Sequence, residues 1–69
     1  MYCRFVVMGT QYDPNHPGCY STENEAFNCE TVEEAKALML KKHPTLSLRT
    51  AVIRCNALDI AVRWDGTPI

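Results

Sequence analysis

A chain of 69 residues with a formal charge of −1 has room for one modest core. An apolar content of 46% argues against a disordered chain. Seven lysines and arginines against eight carboxylates lack the large positive excess of a dedicated nucleic-acid binder, although that balance leaves room for a local basic patch.

The first residues, MYCRFVVMG, are too short for a signal peptide or a membrane span, and Arg4 interrupts the apolar run. A soluble, cytoplasmic protein with no membrane partner is therefore expected. Residues 2–8 predict a strand, being rich in β-branched and aromatic side chains. Alternation places Cys3, Phe5 and Val7 inward and Tyr2, Arg4, Val6 and Met8 outward. Residues 9–23 predict a long connection, because Asp13-Pro14 and His16-Pro17-Gly18 are turn signals. A short additional strand over residues 19–21 is the alternative within it. Residues 24–29 predict a second strand with Phe27 and Cys29 inward.

One helix stands out, between Asn28 and Pro44. Thr31 is a good N-cap, with Glu34 three residues on to complete a capping box. Glu33 and Glu34 in the first turn, and Lys41, Lys42 and His43 in the last, complement the helix dipole. Pro44 disfavours helical geometry at His43 and ends the run. Val32, Ala35, Leu38 and Met39 form the expected apolar stripe. Residues 46–55 predict a third strand, with Ala51, Ile53 and Cys55 on one side and Leu48, Thr50, Val52 and Arg54 on the other. After a turn at residues 56–59, residues 58–64 predict a fourth strand, with Ile60, Val62 and Trp64 inward and Ala61 and Arg63 outward. The predicted fold is a single α+β domain over residues 1–69, in the order β-β-α-β-β. A four-stranded antiparallel sheet, with a short fifth strand as the variant, carries one helix on one face.

Cys3, Cys19, Cys29 and Cys55 include no Cys-x-x-Cys pair, and reduced thiols are expected, three of them buried as small apolar residues. His16, Cys19 and Cys29 are the one candidate set of metal ligands, but a structural zinc site takes four ligands and no paired motif supplies the fourth. The expectation is no metal, no cofactor and no catalysis, since Cys19 with His16 lacks any accompanying oxyanion or phosphate loop. Binding chemistry is better represented. Arg4, Arg54 and Arg63 fall by parity on the open sheet face with Tyr2, where guanidinium groups beside an aromatic can meet phosphates and bases. Arginine stems also shield plain sheet surface. Lys36, Lys41, Lys42 and His43 form a second basic cluster on the helix. Five glutamates, at 23, 25, 30, 33 and 34, gather within twelve residues, and that charge separation suits docking on a charged partner. Tyr12 and Tyr20 in the long connection are natural anchors for such a contact.

Three stretches carry a family resemblance: ETVEEAK (residues 30–36), AVIRC (51–55) and IAVRWDG (60–66). Over residues 25–66 the chain resembles a small phage-encoded type I-F anti-CRISPR family. That resemblance implies an antiparallel sheet with one helix and binding to the backbone subunits of a CRISPR surveillance complex in the bacterial host. It further implies blocked pairing of guide RNA with target DNA, without catalysis. Lys36 and Arg54 fall on matching positions; Ala37, after Lys36, departs from the family's basic residue, and residues 9–23 have no counterpart. Pro17-Gly18-Cys19 with Thr31–Ala35 also resembles pieces of HicB-type antitoxins, at a larger separation. The expected function is a non-enzymatic inhibitor that binds a CRISPR effector, with direct nucleic-acid contact a second element of the reading. A small nucleic-acid-binding module or an antitoxin-like partner are the alternatives.

Overall fold

The computed structural model describes residues 2–69. Strands β1 (Cys3–Tyr12) and β2 (Tyr20–Cys29) form a hairpin in unbroken antiparallel register, from Cys3 opposite Cys29 to Tyr12 opposite Tyr20. Helix α1 (Val32–Lys42) follows, then a second hairpin of β3 (Val52–Cys55) and β4 (Ile60–Arg63). β3 pairs with the free side of β1 through Val6–Arg54, Val7–Ile53 and Met8–Val52. The sheet order is therefore β2-β1-β3-β4, all antiparallel, with β1 central. The α+β fold in the order β-β-α-β-β is as the sequence predicts.

Several strand boundaries differ from expectation, and β4 is trimmed to Ile60–Arg63. The connection between the first two strands is only residues 13–19, since β1 runs on through Tyr12 and β2 already begins at Tyr20. The segment read as a short fifth strand is the start of β2. The turn-forming residues are confined to the tip, while Thr10, Tyr12, Tyr20 and Thr22 are residues that favour a pleated surface. Gly9, expected to open the connection, is instead buried in the strand beneath Leu46. A Cβ there would meet Leu46 Cδ1 at 3.0 Å and the Ala51 Cα at 3.4 Å, so glycine permits this close approach. The third strand begins at Val52 rather than at Leu46. Leu46 bridges to Gln11 and the Ser47 amide donates to the Thr10 carbonyl at 2.8 Å, and a turn intervenes before Ala51.

The strand alternation holds. Phe5, Val7, Ile53, Cys55, Cys29 and Ala51 are buried on one face, and Ala35 and Met39 of the helix close over them. Val32 and Leu40 pack at the margin of this core. Leu38, expected in the stripe, is 39% exposed. The buried face of the helix is Val32, Ala35, Lys36, Met39 and Leu40, a 3.6-residue periodicity in which the aliphatic stem of Lys36 takes an apolar place. The Thr31 Oγ1 accepts from the Glu34 amide at 3.2 Å, as a cap should. Glu34 reaches back one residue further than a capping box requires, accepting from the Glu30 amide at 3.3 Å. At the other end the His43 amide donates to the Met39 carbonyl at 2.7 Å and closes the helix.

Beyond β4 the chain folds back on its own edge. The Arg63 amide donates to the Thr67 carbonyl at 2.8 Å and the Ile69 amide to the Ala61 carbonyl at 3.1 Å. The turn is held by Asp65, whose Oδ1 accepts from the Thr67 hydroxyl at 2.7 Å and from its amide at 3.0 Å. Those bonds keep the Asp65 carboxyl below its ordinary pKa.

Met39 is fully buried where helix and sheet meet. Met39→Ala is expected to cost about 2–5 kcal/mol, a large part of the stability of so small a domain. Urea unfolding should show a lower midpoint at an unchanged slope; an unchanged midpoint would contradict this packing.

Candidate functional site

All three lysines of the chain lie on α1 and all four arginines lie off it. The two sets do different things. Lys36 Nζ donates to the Trp64 carbonyl at 3.0 Å, lies 3.4 Å from Glu33 Oε1 and sits 5.6 Å from the Trp64 ring centre. It thus ties the helix to the segment after β4. Lys42 Nζ donates to Glu25 Oε2 at 2.9 Å. Of the expected basic helix cluster, only Lys41 is exposed with no ion-pair partner among the described residues. Lys36 and Lys42 are engaged within the fold.

His43 belongs to the same clamp. Its Nε2 is 3.1 Å from Glu25 Oε1 and its Nδ1 is 3.8 Å from Glu23 Oε2, with 15% of its side chain exposed. Glu23 and Glu25 share the inner face of β2 with Phe27, beyond the reach of the apolar helix stripe. The last turn of the helix and its cap cover them with Lys42 and His43 instead. The Lys42 hydrogen bond first, and the His43 bond second, lower the Glu25 pKa. Sequence reasoning missed this cluster. The signal available was two glutamates at inward parity in β2, which require cationic partners from whatever covers them.

The alternative metal-ligand set of His16, Cys19 and Cys29 is not brought together. Cys19 precedes β2 and Cys29 ends it, so the ten-residue strand separates them by about 30 Å. His16 Nδ1 is paired with Asp13 Oδ2 at 2.9 Å inside the hairpin loop. That loop is also closed by the Asp13 amide to the Cys19 carbonyl at 3.1 Å and by the Cys19 amide to the His16 carbonyl at 2.9 Å. Cys29 is buried, and burial first, then the Glu34 charge, raises its thiol pKa. It is a core residue.

The open face of the sheet has the opposite character. Registers place Arg4, Val6, Met8 and Thr10 of β1 beside Asn28, Ala26, Asn24 and Thr22 of β2. On the other side stand Arg54 and Val52 of β3, with Ala61 and Arg63 of β4 opposite them. None of the eight carboxylates occupies a strand position on this face. Arg54 is level with Val6, Arg4 lies two residues to one side of that row, and Arg63 lies two residues to the other. The three arginines therefore form a diagonal line over three adjacent strands. The Arg4, Arg49 and Arg54 guanidinium groups have no hydrogen-bond or ion-pair partner among the described residues. Arg63 is near enough to Asp65 to contribute, behind the Thr67 bonds, to its lowered pKa.

Shallow depressions follow the arginines. One of about 430 Å³ is lined by Arg4, Val6, Arg54, Asn56 and Ala57. A second holds Arg49 with Thr10, Tyr20, Ser47 and Thr50, and a third holds Arg49 and Arg63 with Leu48, Trp64 and the Asp65 carboxylate. Arg49 was not anticipated, because a third strand starting at Leu46 would have turned it inward. An arginine at an inward position was itself a signal that the strand starts later. Tyr12 and Tyr20 face each other at the hairpin tip, ring centres 5.9 Å apart and planes at 73°, both exposed. They are a cross-strand pair rather than loop residues.

No family model, curated protein or solved structure matches the chain. Among the described residues no helix is long and apolar enough to cross a membrane.

Two outcomes test this geometry. Because Glu25 has a lowered folded pKa, its contribution is present above the ordinary glutamate value of about 4.3 and is lost as pH falls through the lowered value. Glu25→Gln should therefore flatten the loss of thermal stability on acidification, whereas a parallel curve would show that the clamp contributes nothing. With iodoacetamide near neutral pH, exposed Cys19 should react first, and Cys29 and Cys55 only after denaturant is added. Early modification of Cys29 would contradict its place in the core.

Proposed function

We propose that this chain is a non-enzymatic binding protein that docks through its open sheet face on a negatively charged partner. The observation that supports it is the line of Arg4, Arg54 and Arg63 on a face whose strands carry no carboxylate. Two arginines lining one depression repel each other, and an anion between them removes that cost. Exposed arginine with neighbouring apolar and aromatic surface is also the composition of binding hot spots.

The partner we infer is a CRISPR surveillance complex in the cytoplasm of a bacterial host, on the resemblance of residues 25–66 to phage-encoded inhibitors. Docking would occlude the path by which target DNA reaches the guide. In this reading Arg54, at a family-matching position, is a contact residue, while Lys36 acts by holding Trp64 in place.

The test mixes the purified protein in excess with a type I-F surveillance complex and follows binding of target DNA. Loss of DNA binding is expected, with co-elution of the inhibitor. Arg4→Glu with Arg54→Glu should restore DNA binding, and Lys41→Glu on the far side of the domain should not. A complex that binds its target equally well with this protein present would overturn the choice of partner.

A further inference from the structure

We propose that the diagonal arginine line holds the sugar–phosphate backbone of one unpaired nucleic-acid strand. This deepens the open-face reading above and does not depend on the CRISPR complex as partner.

The spacing is the first reason. Each step along the line crosses one strand and advances two residues, and strand geometry makes that about 8 Å. Both steps run in the same diagonal direction, from Arg4 on β1 to Arg54 on β3 to Arg63 on β4. A regular row of like charges suits a ligand whose own charges repeat along a chain. An acidic protein surface offers carboxylates at no fixed interval, whereas an extended strand offers one phosphate per nucleotide. The guanidinium fork also matches phosphate geometry, donating to two oxygens at once.

What lies beside the row is the second reason. Val6, Met8 and Val52 give the middle of the face an apolar floor, and Met8 is 36% exposed there. Tyr2, two residues before Arg4, is 70% exposed, and Tyr20 shares the depression of Arg49 at the other end. Bases of an unpaired strand have flat faces to lay on such side chains, and that stacking tolerates any base because every base has a π-face. Paired bases have their faces hidden. The major groove of a duplex admits a helix or a two-stranded ribbon, and a four-stranded sheet presented face-on is too broad for it.

The charge distribution is the third reason. The chain is −1 overall, and its glutamates lie on the inner face of β2 and at the helix entrance. The open face offers a polyanion cations with no carboxylate on its strands, while the glutamates repel it from the inner face of β2 and from the helix entrance, so binding should be oriented and of modest strength.

A fluorescein-labelled oligodeoxythymidylate of twelve nucleotides, titrated by anisotropy with the intact chain, tests this. Saturable binding is expected, weaker for a duplex of equal length. Three neutralised phosphates predict a roughly 20-fold loss of affinity between 50 and 200 mM salt. Arg4→Glu/Arg54→Glu/Arg63→Glu should abolish binding, and replacing the same three by lysine should keep part of it. The far-ultraviolet circular dichroism and urea midpoint of each variant establish that it is folded. Absence of binding at 50 mM salt would overturn the proposal, as would affinity unchanged in a folded triple variant. Equal competition by polyglutamate of the same length would also overturn it, since the face would then be a general acidic-protein dock. Failure here with effector binding intact sinks this inference alone, and oligonucleotide binding without effector binding sinks only the choice of partner.

Discussion

One helix can cover one face of one sheet, and the rest of this structure follows from that constraint. The eleven residues of α1 close over Phe5, Val7, Ile53 and their neighbours. Burial of that face supplies the stabilisation, since each large side chain removed from water contributes about 1.5–3 kcal/mol. Among the described residues no second helix covers the other side. Every strand must therefore alternate between core and water, and β1 does so cleanly from Cys3 to Gly9. Where the helix stripe runs out, at Glu23 and Glu25, its final turn changes from apolar contact to Lys42 and His43. The C-terminal fold-back meets the same demand at the β4 edge, where otherwise unpaired backbone groups bond Thr67 and Ile69.

Net charge conceals this division. A total of −1 resembles an unremarkable neutral surface, yet the strands of the open face carry three cations and no anion. The chain also separates its cations by type. Lysines stay on the helix, where Lys36 lends its stem to the core margin and its ammonium to Trp64. Arginines stay on the sheet and its flanking turn, where the planar guanidinium spreads over an apolar floor and still presents donors outward. The helix carries the second basic cluster, and its two engaged lysines, Lys36 and Lys42, shift the weight to the sheet.

The legible part of the sequence was what short periodicities record. Alternation in residues 3–8, 51–55 and 60–63 assigns inward and outward sides correctly, which is why Arg4, Arg54 and Arg63 group on one face from the sequence alone. The cap at Thr31 and the stop at Pro44 bounded the helix for the same local reason. The illegible part depended on contacts distant in sequence. Gly9 reads as the start of the connection until Leu46 is seen lying on it. Leu38 and Lys36 exchange roles because Trp64, far along the chain, decides which side of the helix is occupied. His16, Cys19 and Cys29 look like one ligand set only while the strand between them is ignored. The diagonal of arginines, as distinct from their shared face, needed the register of three strands, which no single segment encodes.

The central claim is that the working surface is the open sheet face and not the helix. Amide chemical-shift mapping during titration with the oligodeoxythymidylate tests it most directly. The account predicts shifts at Arg4, Val6, Val52, Arg54 and Arg63, with the amides of α1 unmoved. Shifts centred on Lys41 and the exposed helix surface, with the strands silent, would contradict it.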